Sequence, residues 1–194
     1  MSEQDGRVTR ASANHDAIVE AVYALVRRDH RFPSVQAVAA CAGVGERTVY
    51  RRFADLDALY QSVNTRVSAE VMALAAPSPP SGDLVVDLRG SLERRARVFE
   101  HIAPFRRAIE RAGVSALVEQ WLRAADIALR AALQASLSPY LDDDDACEAL
   151  DWLLSFESWD RLRHHQDLPR ARALRVLERA ALGVLTPSTE RRQR

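Results

Sequence analysis

Apolar residues recur at three- and four-residue intervals along most of the chain. That is the spacing of one helix face, and no stretch alternates apolar and polar residues between turn signals as a strand would. Residues 1–13 are polar and are expected to fray. The first clear stripe, Ile18, Ala21, Val22, Leu25 and Val26, follows Asn14, which can cap a helix start. Arg27, Arg28 and Arg31 lie at or just past the end of that stripe, where cations complement the helix dipole, and Pro33 blocks continuation. Ser34 can cap a second helix over 35–41, with Val35, Val38 and Ala39 facing inward. Gly43 stands where such a helix needs a left-handed residue. A short third helix is predicted over 45–53. A fourth, over 55–75, carries Leu56, Leu59, Val63, Val67 and Val71.

The segment from Ala76 to Gly82, APSPPSG, holds three prolines and is the clearest linker in the chain. Five further helices are predicted beyond it, over 84–101, 104–111, 114–137, 143–165 and 169–185. Pro139 separates the third of these from the fourth, and the acids Asp142 to Asp145 suit a helix N-terminus. The pattern predicts an all-α chain. Residues 1–60 form an N-terminal three-helix unit, 61–76 the connecting part of helix 4, 77–87 a Pro/Ser-rich linker, 88–186 a helical bundle and 187–194 a flexible tail.

Composition changes this picture little. The apolar share is 47% and the aromatic share only 6%, a balance that favours helix over sheet. No apolar run approaches the roughly 20 residues that span a bilayer, and the polar N-terminus has no secretory apolar core. The expectation is a cytoplasmic protein with no membrane partner. Cys41 and Cys147 make no disulfide framework. The formal net charge is zero, so overall charge gives no argument for nucleic acid. Local charge differs: from Arg27 to Arg66, seven arginines face four acids. The chain has no lysine, which a GC-rich coding sequence explains without appeal to function.

The informative stretch is Ser34 to Leu59, SVQAVAACAGVGERTVYRRFADLDAL. Two short helices joined by a glycine-bearing turn form a helix-turn-helix, whose second helix enters the DNA major groove. Small Ala39 and Ala42 let the helices cross closely, and Val38, Val44, Val49 and Phe53 supply the core beneath. Thr48, Tyr50, Arg51 and Arg52 supply hydroxyl and guanidinium donors for phosphates. Periodicity alone would fit any helical hairpin.

The residues AGVGERTVYRRF resemble the signature of the TetR (tetracycline-repressor) family: an Ala-Gly-Val turn, then Thr-x-Tyr, then an aromatic closing the third helix. The detailed resemblance covers about residues 14–63; beyond them only length and helical character match. It implies a homodimeric transcriptional regulator, most often a repressor, that binds a palindromic double-stranded operator and is released by a small-molecule effector. Ser34 and Gln36 would touch the backbone and a base, and Gly45, Glu46 and Arg47 would face base edges. Thr48, Tyr50, Arg51 and Arg52 would hold phosphate and sugar. The chain departs from the family where Gly45 replaces a Ser or Thr cap and where Leu56 replaces a lysine. Leu56 and the zero net charge keep a second reading open, a helical interaction or structural protein whose helix-turn-helix no longer binds DNA.

The C-terminal aromatics are expected in the core or a dimer interface. The resemblance also implies a small-molecule cavity among the middle helices, with Phe99, Phe105, Trp121, Trp152 and Phe156 as candidate lining. Trp121, Leu122, Ile127 and Leu129 cluster around few charges, which predicts a mostly apolar effector. Leu150, Leu153, Leu154, Leu174, Leu177, Ala181 and Leu185 recur on the last two long helices and are expected to form a two-fold four-helix interface. The fourth helix is the expected lever between effector and operator. Cys41 and Cys147 are expected as buried core thiols, and His164 and His165 as a solvated helix end. No HExxH, CxxC or phosphate-cradling loop marks an enzyme, and no catalytic residue, metal or cofactor is expected.

Overall fold

A computed structural model describes the backbone of residues 3–112 and 116–185, and side chains from residue 12 onward, residue 116 apart. Among these residues the chain is all-α. Its helices are α1 (Glu3–Asp29), α2 (Val35–Ala42), α3 (Glu46–Arg52), α4 (Leu56–Ala75), α5 (Leu84–Ala112), α6 (Ala116–Leu137), α7 (Asp144–Leu153), α8 (Phe156–Asp160) and α9 (Arg170–Leu185). A single tight turn at Ser138–Tyr140 and a wider turn at Arg161–His165 complete the order. The helix start expected at Val114, residue 186 and the tail over 187–194 lie outside the described residues.

Two compact units emerge, Met1–Glu70 with Ile102–Trp121, and Val71–His101 with Leu122–Arg194. Each is discontinuous in sequence, because α4, α5 and α6 each pass from one unit to the other. The Pro/Ser-rich stretch over 77–87 falls inside the second unit.

In the first unit, α1 packs on α2 and α2 on α3. The core is Ile18, Val22 and Val26 from α1, Val38 and Ala39 from α2, Val49 and Phe53 from and just after α3, and Leu59 and Val63 from α4, all buried. Each large apolar side chain removed from water contributes about 1.5–3 kcal/mol, so this small unit depends on every one of them. α1 begins at Glu3, not after Asn14. No proline interrupts residues 3–14, and a nucleated helix extends at little cost.

The second unit buries Leu88, Leu92 and Phe99 of α5, Leu133 and Leu137 of α6, Leu150 and Leu154 at α7, and Ala173, Leu177, Ala181 and Leu185 of α9. α7 packs directly on α9. Two expected boundaries change. Residues 84–112 form one helix with Pro104 inside it, not two helices. Proline removes one backbone hydrogen bond there, but Ile102, Ala103, Phe105 and Ala108 continue the buried stripe and hold the helix together. Residues 143–165, expected as one helix, are broken instead. Leu154 ends α7, and the Ser155 hydroxyl accepts from Ser158 N at 3.2 Å to start α8. The turn that follows closes with Gln166 N donating to Arg161 O at 2.9 Å, a five-residue reach wider than an α-turn.

Candidate functional site

The helix-turn-helix is set by caps. The Ser34 hydroxyl accepts from Ala37 N at 3.2 Å and opens α2. Gly43 closes it in the left-handed region at φ 65°. Val44 N then donates to Ala39 O at 3.0 Å and Gly43 N to Ala40 O at 3.4 Å, so two orphan carbonyls are satisfied in one turn. α3 starts at Gly45 with no side-chain cap, as expected from the missing Ser or Thr. Asp55 caps α4, accepting from Ala58 N at 2.8 Å. The caps leave α3 seated on its core through Val49 and Phe53, and the His15 ring stacks on Phe53 with centroids 5.0 Å apart.

That seating decides what α3 displays. Glu46, Arg47, Tyr50 and Arg51 are exposed, at i, i+1, i+4 and i+5, which is one face of a helix. Ser34, Gln36 and Gly45 are exposed beside them, whereas Thr48 and Arg52 are half-buried. Arg47 and Arg51 have no ion-pair partner among the described residues, so their charge is displayed outward. Arg52 Nε is buried without a hydrogen-bond partner among the described residues. Leu56 is 47% exposed at the rim of an open hollow of about 500 Å3 that also touches Val35, Val49, Tyr50 and Phe53.

Not every arginine of the Arg27–Arg66 stretch is displayed. Arg28 pairs with Asp29 at 2.8 Å, and Arg66 pairs with Glu20 and with Glu70. The Arg66 guanidinium also lies 4.0 Å from the Tyr23 ring centroid. The Tyr23 hydroxyl donates to Glu70 at 2.6 Å and accepts from Arg27 at 3.1 Å. Burial, then the Glu70 bond, pushes the Tyr23 hydroxyl above its usual pKa. Together these contacts fix α4 against α1 within the first unit.

The second unit holds a cleft of about 310 Å3 between α5, α6, α7 and α8. Of the expected lining residues, Phe99, Trp152 and Phe156 are there. Phe105 is not: it belongs to the first unit, where its ring lies 5.4 Å from that of Tyr23. Trp121 does not line the cleft either, and Ile127, expected in an apolar cluster, is 69% exposed. Sequence reading missed Arg95, Glu148, Asp151 and Glu157, which line it with Asp126. Arg95 had a signal. It stands in the inward register of Leu88, Leu92 and Phe99, so a charge was due inside the bundle. It is only 6% exposed and donates to Leu154 O at 2.7 Å and Leu129 O at 2.8 Å, with Asp151 at 3.6 Å. Burial pulls its pKa down to about 10, against the attraction of Asp151.

The residues expected at a dimer interface are mostly used within one chain. Leu150, Leu154, Leu177, Ala181 and Leu185 are buried there, because the stripes of α7 and α9 face core, and Leu153 and Leu174 are half-buried. Val176, Ala180 and Gly183 are exposed on α9. Cys41 is exposed, not a core thiol, since the inner face of α2 is taken by Val38 and Ala39; Cys147 is buried. His164 and His165 are exposed near Asp160. Among the described residues no group of three or more His, Cys, Asp or Glu side chains is placed to hold a metal, and no helix is long and apolar enough to cross a membrane.

No family model matches the chain, and no curated protein matches it. A solved structure does: the crystal structure of a TetR-family transcriptional regulator from Streptomyces coelicolor, at 18% identity and a TM-score of 0.69, over 95% of this chain and 82% of that one. The chain has the fold of that TetR-family transcriptional regulator.

Proposed function

We propose that the protein is a DNA-binding transcriptional regulator, a repressor that grips a palindromic operator as a homodimer and lets go when a small molecule binds. The observation that carries this is the outward face of α3, where Arg47, Tyr50 and Arg51 are exposed beside Ser34 and Gln36 while Val49 and Phe53 anchor the helix beneath. Guanidinium and hydroxyl donors on a short helix suit the major groove and its flanking phosphates. Arg47, near the helix start, is the base reader, with guanine its best partner; Tyr50, Arg51 and Arg52 hold phosphate. Dimerisation uses the outer faces of the last helices, including Val176 and Ala180, and not the leucines already buried. The small molecule occupies the cleft beside Phe99, Trp152 and Phe156.

Selection of binding sites from random duplex DNA tests this. A two-fold-symmetric site is expected, and Arg47→Ala should cost about 1–3 kcal/mol and relax preference at one position per half-site. A folded protein that enriches no sequence would refute operator binding and favour a helical interaction protein. For the switch, linkage requires operator and effector to weaken one another equally, so an effector with the same affinity in the presence and absence of operator sinks the release mechanism.

A further inference from the structure

The stretch that joins α4 to α5 borders a pocket of about 220 Å3, lined by residues of the second unit alone. Two charged groups of α5 line it, Asp87 and Arg94. Asp87 is well supplied with donors. Both its oxygens accept from Ser81 N at 2.9 Å, and the Tyr140 hydroxyl donates to it at 2.6 Å. Arg94 is supplied differently. It donates to the Ser136 hydroxyl at 2.9 Å and to the Ser78 hydroxyl at 3.3 Å, which uses two of the five N–H donors of a guanidinium. Among the described residues no carboxylate stands within ion-pair distance of it. The other arginines of this unit that are not exposed, Arg95, Arg130, Arg163 and Arg170, each pair with an acid. Burial, then Arg97 one turn further along α5, lowers the Arg94 pKa below its ordinary value against the support of Asp87. Its charge is therefore short of a counter-charge.

The two serines that accept from Arg94 have protons of their own to place. A serine inside a helix can return its proton to the carbonyl four residues back, as Ser62 does to Ala58 O at 3.1 Å. Ser136 is only 3% exposed and makes no such bond, and Ser78 donates to no described group. Gly90 lies beside them. Glycine inside a helix is destabilising relative to alanine, but a Cβ here would stand 3.3 Å from Arg94 Nη1, a tight contact, so its absence leaves the guanidinium room. The unmet hydrogen-bonding capacity of the pocket is thus all donors. Charge sets a limit as well. Arg94 and Asp87 cancel, and Arg97, exposed and with no acid partner among the described residues, adds one positive charge. One negative charge is accommodated, whereas a second would meet Asp87 unopposed.

We propose that this pocket binds a small monocarboxylate, its carboxylate in the fork of Arg94 with the Ser78 and Ser136 hydroxyls donating to it, and its apolar body against Pro79 and Val86. A planar carboxylate matches the guanidinium fork, and Arg94 keeps both serine bonds because a hydroxyl accepts and donates at once. Val86 is 57% exposed, an apolar surface at the mouth that the fold leaves open to such a body. The volume limits the occupant to a single ring or a short chain. This site shares no lining residue with the cleft beside Phe99, Trp152 and Phe156, and binding to it depends neither on that cleft nor on DNA.

Benzoate, benzamide and benzamidine have one shape and are anion, neutral and cation; phenyl phosphate, a dianion at about pH 7.5, adds a second negative charge. Each is titrated calorimetrically into the full-length protein at that pH. Benzoate should bind about tenfold or more tighter than benzamide, phenyl phosphate more weakly than benzoate, and benzamidine not measurably. Arg94→Met should abolish the advantage of benzoate. Ser136→Ala, which removes one buried donor and little volume, should weaken benzoate about three- to tenfold. Trp152→Ala should leave benzoate unchanged, because that side chain lines the other cleft. The comparison among probes on the unaltered protein stands even if Arg94→Met misfolds. Benzamide or phenyl phosphate binding as tightly as benzoate, no benzoate binding up to about 10 mM, or benzoate affinity that survives Arg94→Met or falls with Trp152→Ala overturns the proposal. A protein that binds benzoate as expected and enriches no DNA sequence keeps this site and loses the regulator reading.

Discussion

Replacing Arg95 by methionine tests how the second unit is held together. The side chain is 6% exposed, so methionine keeps the volume and gains apolar burial while the charge and donors are lost. Two effects oppose each other. Returning a buried guanidinium's desolvation, several kcal/mol, favours the variant, and the lowering of its pKa to about 10 says that burial outweighs the pull of Asp151. Against this stand two charge-assisted hydrogen bonds at 2.7 and 2.8 Å, each contributing roughly 1.5–3 kcal/mol. The acceptors are not equal. Leu129 lies within α6 and keeps its helical role, but Leu154 ends α7, where carbonyls lack helical partners. Leaving that carbonyl buried and unpaired costs about 1–3 kcal/mol. Asp151 keeps Arg130 at 3.4 Å and is not orphaned. The net expectation is destabilisation by about 2 kcal/mol, a fall of about 1 M in the urea midpoint at an m-value near 2 kcal/mol/M. Trp152 and Trp159 fluorescence reports on these elements, at fixed protein concentration because association shifts apparent stability. A midpoint equal to or above that of the parent refutes the reasoning and assigns Arg95 to ligand binding or specificity of fold.

Two further outcomes follow from local geometry. The Tyr140 hydroxyl donates to Asp87 at 2.6 Å, which lowers the carboxyl below its ordinary 3.8 and pushes the tyrosine up from 10.0 to about 12. The carboxylate's share of stability is therefore present above 3.8 and lost as pH falls through its lower folded value, and the phenol's share is present below 10.0 and lost as pH rises through about 12. Unfolding midpoints of Tyr140→Phe should fall below the parent at neutral pH and converge with it at both extremes; a constant difference across pH counts against the pair. Leu56→Lys, at an exposed position beside α3, should strengthen binding to any duplex and steepen the salt dependence by about one unit per half-site, and an unchanged slope would mean that the start of α4 does not approach phosphate.

The helix-turn-helix unit was legible because its signals are local. Ser34, Gly43 and the Val38–Val49–Phe53 core act within about twenty residues, and caps and turn glycines announce themselves by residue type. Breaks and continuations between helices were harder. Pro104 reads as a stop, yet the apolar stripe across it is continuous. Ser155 reads as one more polar residue in a helix, yet it caps a new one. The leucines of α7 and α9 show the limit of periodicity, which marks a face to be buried without saying whether the same chain or a second copy buries it. The cleft was the least legible feature. Its carboxylates come from α6, α7 and α8, and nothing in the spacing of Asp126, Glu148 and Glu157 says that they meet.

The zero net charge conceals unlike parts, a helix-turn-helix stretch with an excess of arginine and a cleft lined by four carboxylates and one arginine. If a small molecule releases DNA as proposed, release must come from a difference in its affinity for two conformations; a ligand bound equally by both would shift nothing, however tightly it bound. The elements able to carry such a difference are those that pass through both units, α4, α5 and α6. In the first unit α4 is held by the contacts of Tyr23, Arg66 and Glu70. Loosening them should change the proposed coupling between effector and operator while leaving the affinity of the cleft for its ligand in the absence of operator untouched.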